Sequence, residues 1–138
     1  DLSVYGNEKE KVNAWMAYCE SLKTHITWNN AGFALPAQSL SQVALHGLVI
    51  ADKNDLMARS KFYAYAAQGY YFRNPMNADS VKYFYQQSLA EATKAKSAAL
   101  ITTATVALMH IGFEMQSKDE VDSLKSILHI ILDTTYQI

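Results

Sequence analysis

From Val12 onward, apolar side chains recur at steps of three and four: Val12, Trp15, Met16, Cys19, Leu22 and Ile26. That spacing lays them along one stripe of an α-helix, and it does not fit the two-residue alternation of a strand. The same kind of pattern continues down the chain and sets its fold class. Asn7 stands where an N-cap is wanted, with Glu8 and Glu10 favourable in the first turn. Asn29-Asn30-Ala31-Gly32 marks the end of this first helix. Ser39 and Gln42 have capping-box spacing and predict a second helix with Leu40, Val43, Ala44, Leu48 and Ala51 inward. Asn54 or Asp55 caps a third helix running to about Phe72, whose inward side reads as Leu56, Ser60, Tyr63, Ala67 and Tyr70. Pro75 stops it and pushes Asn74 towards an extended backbone.

Asn77 or Asp79 caps a fourth helix with Val81, Phe84, Tyr85, Ser88, Ala92, Ala95 and Ala99 on one face. The pattern runs beyond normal helix length, so a break is expected between Thr93 and Ser97. A fifth helix follows from Ala98 to Met115. The β-branched run from Thr102 to Val106 makes a short strand the rival reading there. Ser117-Lys118-Asp119-Glu120 is a full capping box and opens a last helix with Val121, Leu124, Ile127, Leu128 and Ile131 inward. The expectation is an all-α fold, a bundle of five to six helices in a single domain over residues 1–138. Half the residues are hydrophobic, enough for a core without metal or disulfide staples.

Several function classes fall away. Net charge is −1 and the twelve basic residues are scattered, which argues against sequence-independent nucleic-acid binding. The longest apolar run, Ala98 to Phe113, is interrupted by Thr102, Thr103, Thr105 and His110, so no membrane span is expected. Cys19 is the only cysteine and lies in mid-stripe, which reads as an inert core thiol. His25, six residues on, lies about 240° around the helix and does not share its face. The two i,i+4 pairs, His110 with Glu114 and His129 with Asp133, do not converge on a four-ligand metal site. Glu20, Glu91 and Glu114 stand isolated, and Gly47, Gly69 and Gly112 are single glycines expected where helices approach closely. No catalytic residue, metal or cofactor is expected.

Binding to another protein is the class that remains. Nine of the sixteen aromatic residues fall between Phe62 and Tyr85, on either side of the kink Arg73-Asn74-Pro75-Met76-Asn77. Tyr83-Phe84-Tyr85 span about 200° of helix, and Tyr70-Tyr71-Phe72 do likewise, so neither run can face one core. Surface tyrosine beside arginine has the composition of a binding hot spot. Tyr70, Tyr71, Arg73, Asn74 and Met76 are therefore the candidate partner-binding knob, with core closure or a homodimer contact as the competing roles.

Two resemblances follow. Tyr65-x-x-Gln68-Gly69-x-x-Phe72, with Val81, Tyr85 and Ser88, resembles the spacing of one tetratricopeptide unit. Moving 34 residues on places Thr103 where a glycine is wanted, so a helical hairpin is expected rather than a repeat array. In size, helical character and the loop from Tyr70 to Asn77, the chain resembles the periplasmic immunity proteins of type VI secretion effectors. That resemblance implies a periplasmic protein, often dimeric, whose loop blocks the cleft of a peptidoglycan hydrolase effector. Only 18% of residues are charged, and the chain starts at Asp1 without an initiator methionine. A mature exported form would read this way, and so would a trimmed chain. The alternative is a helical scaffold or adaptor, cytoplasmic or in the envelope, that holds a peptide or an oligomeric partner.

Overall fold

The computed structural model describes residues 8–28, 34–73, 76–115 and 117–136. They form six helices and no strand: α1 (Glu8–Trp28), α2 (Ala34–Ile50), α3 (Leu56–Tyr71), α4 (Ala78–Ala95), α5 (Ala98–Glu114) and α6 (Lys118–Tyr136). The chain is all-α, as its periodicity requires. The Asn7 cap and the Asn29–Gly32 stop lie outside the described residues.

Local chemistry sets the observed ends. Asp55 accepts a hydrogen bond from the Ala58 N–H at 3.3 Å and opens α3. Asn77, not Asp79, does the same for α4 through Ser80, and Ser97 for α5 through Leu100. The expected break falls at Lys96, which adopts φ 55 and closes α4 with its N–H on Ala92 and Thr93 carbonyls. α2 differs from expectation. It starts at Ala34, so Ser39 and Gln42 lie inside it and do not cap. Pro36 falls in the first turn, where a missing N–H costs no helical bond. Thr102 to Val106 is helical, because Ala104, Thr105, Leu108 and Ile111 bury one face of α5 at helical spacing.

Successive helices run antiparallel. On the α2–α3 face, a Cβ on Gly47 would meet the Phe62 ring, and one on Gly69 would meet Ser41 and the Ala37 carbonyl. On the α3–α4 face, Ser60 and Ser88 lock reciprocally: each hydroxyl donates to the other's carbonyl, at 2.9 and 2.8 Å. On the α5–α6 face, Gly112 meets Val121. Each helix packs on its sequence neighbours; beyond that α1 packs on α3 and α3 on α5, and the Lys82–Glu120 ion pair ties α4 to α6. The described residues thus form three helical hairpins side by side, with α1, α3 and α5 in one layer. The hairpin expectation over α3 and α4 is met. The stack around it has no regular sequence period: contacts within the layer join residues 45 apart at Glu20–Tyr65 and 39 apart at Tyr71–His110.

This order explains where a one-stripe reading errs. α3 touches four neighbours, so it buries Ala58, Ser60, Phe62, Ala66, Ala67 and Gly69 rather than a single line, while Leu56, Tyr63 and Tyr70 are only half-buried. Phe62 is fully enclosed between α2 and α3, and truncating it to Ala would cost about 3–5 kcal/mol. α6 packs its backbone on α5 and is tied to α4 by the Lys82–Glu120 ion pair. Of its predicted inward residues Val121 is buried, Leu124, Leu128 and Ile131 are half-buried, and Ile127 is exposed. No described helix is long and apolar enough to cross a membrane.

Candidate functional site

The predicted knob residues separate in space. Tyr70 stacks on Phe84 at 5.4 Å between ring centres and carries the Arg73 guanidinium 4.0 Å from its ring centre. Arg73 also donates to the Ser41 hydroxyl on α2. Met76 packs against the second core cluster, around Val81, Tyr85, Leu108 and Ile111. Tyr71 points instead across the layer to α5. Its hydroxyl donates to the Glu114 carboxylate at 2.7 Å and lies 3.1 Å from His110 Nε2. Tyr70 and Arg73 therefore form one unit and Tyr71 belongs to another. Asn74 lies outside the described residues. Of the remaining rings in the aromatic segment, Phe62 and Tyr85 are buried and Tyr83 is 53% exposed.

The layer order creates a second arrangement. No Cα of α1 comes within 8 Å of one in α5, so α3 is the floor between two walls. Two open cavities follow this floor. One, of 220 Å³, is lined by Met16 and Lys23 of α1, Lys61, Ala64, Tyr65 and Gln68 of α3, and Leu100 and Thr103 of α5, with Ser60 and Ser88 at its base. The next, of 210 Å³, is lined by Tyr71, Phe72, Tyr85, Ala107, His110 and Ile111, again with Lys23 and Gln68. The two shared residues make them one groove.

Two clasps fix its width. Tyr65 donates its hydroxyl to Glu20 on α1, and Tyr71 donates to Glu114 on α5. Burial, then the bond to Glu20, pushes the Tyr65 phenol well above its ordinary range. The bond to Glu114, then partial burial, raises that of Tyr71. Burial raises Tyr85 to about 12, opposed by a hydrogen bond from Gln68. Gln68 Oε1 is buried and has no hydrogen-bond partner. Cys19 lies fully buried, its thiol pushed up to about 12 by burial and by neighbouring Glu20. A thiol so raised is a poor nucleophile. Among the described residues no group of three His, Cys, Asp or Glu side chains gathers into a metal site.

Comparison with known proteins finds no matching family model, no matching curated protein and no matching solved structure. The groove residues Glu20, Lys23, Lys61, Gln68, His110 and Glu114 were not marked by the sequence as one site. Tyr65-x-x-Gln68 was the nearest signal, because that spacing places both side chains on adjacent turns of one helix.

Proposed function

We propose that the protein is a non-catalytic binding module of the scaffold or adaptor kind, which grips a segment of another protein along α3, between α1 and α5. The observation that carries this reading is the helix order, which holds the two walls apart over a floor of tyrosines. Each cavity, near 200 Å³, is smaller than a small-molecule site of about 300–1,000 Å³ and accommodates one large side chain. Panning a displayed random-peptide library against the folded protein tests it. Selected peptides should compete with one another and shift the amide resonances of Lys23, Gln68 and Ala107. Selection of none, or of peptides that perturb only other faces, would refute the groove.

A second reading draws support from the Tyr70–Arg73 pair. An aromatic ring in contact with both Phe84 and a guanidinium at the α3–α4 connection is pre-ordered, and Arg73 Nε is left without a partner. Such a unit suits insertion into a hydrolase cleft at small entropic cost. In this reading the chain is a periplasmic immunity protein, singly or as a homodimer, directed against a peptidoglycan hydrolase effector. Co-expression in the periplasm with a peptidoglycan hydrolase effector should protect the cell. Lysis despite a folded protein would remove this reading.

A further inference from the structure

The two ends of the helical stack differ in chemistry. At the first end α1 and α2 expose polar side chains, among them Ser21, His25, Gln42 and His46. Among the described residues, Tyr18 and Val49 are the large apolar side chains exposed on these two helices. The other end is apolar. Six of the ten large apolar side chains exposed among the described residues lie on α5, on α6 or at the turn between them. Scattered singly they would need no account, but on α5 they line up. Thr102, Val106, Met109 and Phe113 fall within about 60° of arc, turned away from Ala107 and Ile111. Val106 is 50% exposed and Phe113 59%, with Thr102 and Met109 half-buried beside them. Leu128 and Leu132 of α6 continue the patch, and the Lys125 amine lies 6.0 Å from the centre of the Phe113 ring. An open cavity of 340 Å³ indents it between Phe113, Val121 and Lys125. In stacked-helix folds the terminal pair carries a polar outer face, which keeps the stack soluble by itself. α1 and α2 meet that requirement, and α5 and α6 do not.

We infer that a second copy of this chain covers the apolar end, with α5 of each copy lying on α6 of the other about a two-fold axis parallel to the helices. Three observations select that occupant. The polar outer face of α1 and α2 offers no apolar match, so head-to-tail stacking leaves the patch unmatched, whereas the patch matches itself. The area is of the right order. The 17 residues of α5 span about 25 Å and the hairpin is about 20 Å wide, roughly 500 Å² in projection and more as accessible surface, against about 800 Å² per partner in a standard interface. The charges at its edge are self-complementary. Gly112 packs on Val121, which fixes the register of α5 against α6. The axis preserves those levels. Within one residue, Val106 and Thr102 of one copy then face Leu128 and Leu132 of the other, while Glu114 faces Lys118 and His110 faces Asp122. His110 and Glu114 are a base and an acid four residues apart, paired at 2.9 Å. Lys118 and Asp122 repeat that spacing and order, so antiparallel contact sets each charge against its opposite. Exposed pairs of this kind add little affinity and fix the register. The face lies across α5 from Ala107 and the groove, and its covering does not depend on what the groove holds.

Sedimentation at micromolar concentration should give the mass of a dimer. Val106→Glu and Phe113→Glu should each raise its dissociation constant about tenfold or more, with helical circular dichroism unchanged. A spin label on Lys118→Cys, in a copy mixed with isotope-labelled parent, should broaden the parent's His110 and Glu114 amide signals; Cys19 is buried and escapes the label. A monomer at every concentration would overturn the inference. So would a dimer that either folded variant leaves intact, or broadening at Tyr70 and Arg73, or at Ser21 and His25, in place of α5.

Discussion

Replacing Gly69 by Ala separates close helix approach from mere helix propensity. In an isolated helix the change would stabilise by about 1 kcal/mol. Here the new Cβ would lie 2.6 Å from the Ser41 nitrogen, 2.7 Å from Ser41 Cβ and 2.8 Å from the Ala37 carbonyl oxygen. Two of these atoms are backbone and cannot rotate away, so α2 and α3 must separate by roughly 1 Å. A gap of that size forfeits up to about half of each dispersion contact along the interface. Overpacking of this kind costs about 1–3 kcal/mol, and the rigid partner places it at the upper end. The net loss is about 2 kcal/mol, or roughly 6–8 °C in Tm for a chain of this length. Gly112→Ala is the control. Its Cβ would crowd only Val121 Cγ2 at 2.8 Å, the end of a side chain, with the next atoms at 3.8 and 4.0 Å. That variant should match or slightly exceed the parent. Urea unfolding followed by helical circular dichroism measures both. Equal stability of the two variants would refute the account of the α2–α3 contact.

Three further outcomes are expected. Thr105 is fully buried and its hydroxyl has no partner, so Thr105→Val should stabilise by about 1 kcal/mol; a loss in urea titration would mean that the hydroxyl is bonded. Lys96 holds a left-handed φ of 55, so Lys96→Gly should raise stability by about 0.5–1 kcal/mol, and an unchanged Tm would contradict the strain argument. Cys19 and Tyr85 are both held up to about 12, from 9.0 and 10.0. The unfolded chain sheds these protons first, so their stabilisation is complete below pH 9.0 and declines as pH climbs towards 12; unfolding free energies that stay flat across that window would refute it.

The helices were legible because their signals are local. Asp55, Asn77 and Ser97 cap by reaching three residues ahead, a distance that sequence encodes directly. α2 was harder, because a proline in the first turn and a proline beyond a helix end read alike until the backbone is placed. The inward face of α3 was legible only in part. A periodicity argument assumes one buried side, and a helix with four neighbours buries small residues all round. The groove was not legible. Tyr65 meets Glu20 across 45 residues, and Tyr71 meets Glu114 across 43, so no window along the chain holds both ends of either clasp. The aromatic cluster drew attention to α3, yet its members divide between a ring stack on α4 and a clasp to α5.

The packing order also has a mechanical side. α1 and α6 lie at opposite ends of the stack, and α6 is carried by α5 and by a single ion pair, Lys82–Glu120, to α4. Tension applied between the ends of such a stack cannot be shared among all interfaces at once, as it would be in a closed bundle. It passes through them in series, and the weakest yields first. Pulled between α1 and α6, the chain should lengthen in steps, with α6 leaving before the serine-locked hairpin of α3 and α4. A ligand lying across α1, α3 and α5 would bridge these links and act as a splint, raising the force at which the first wall gives way.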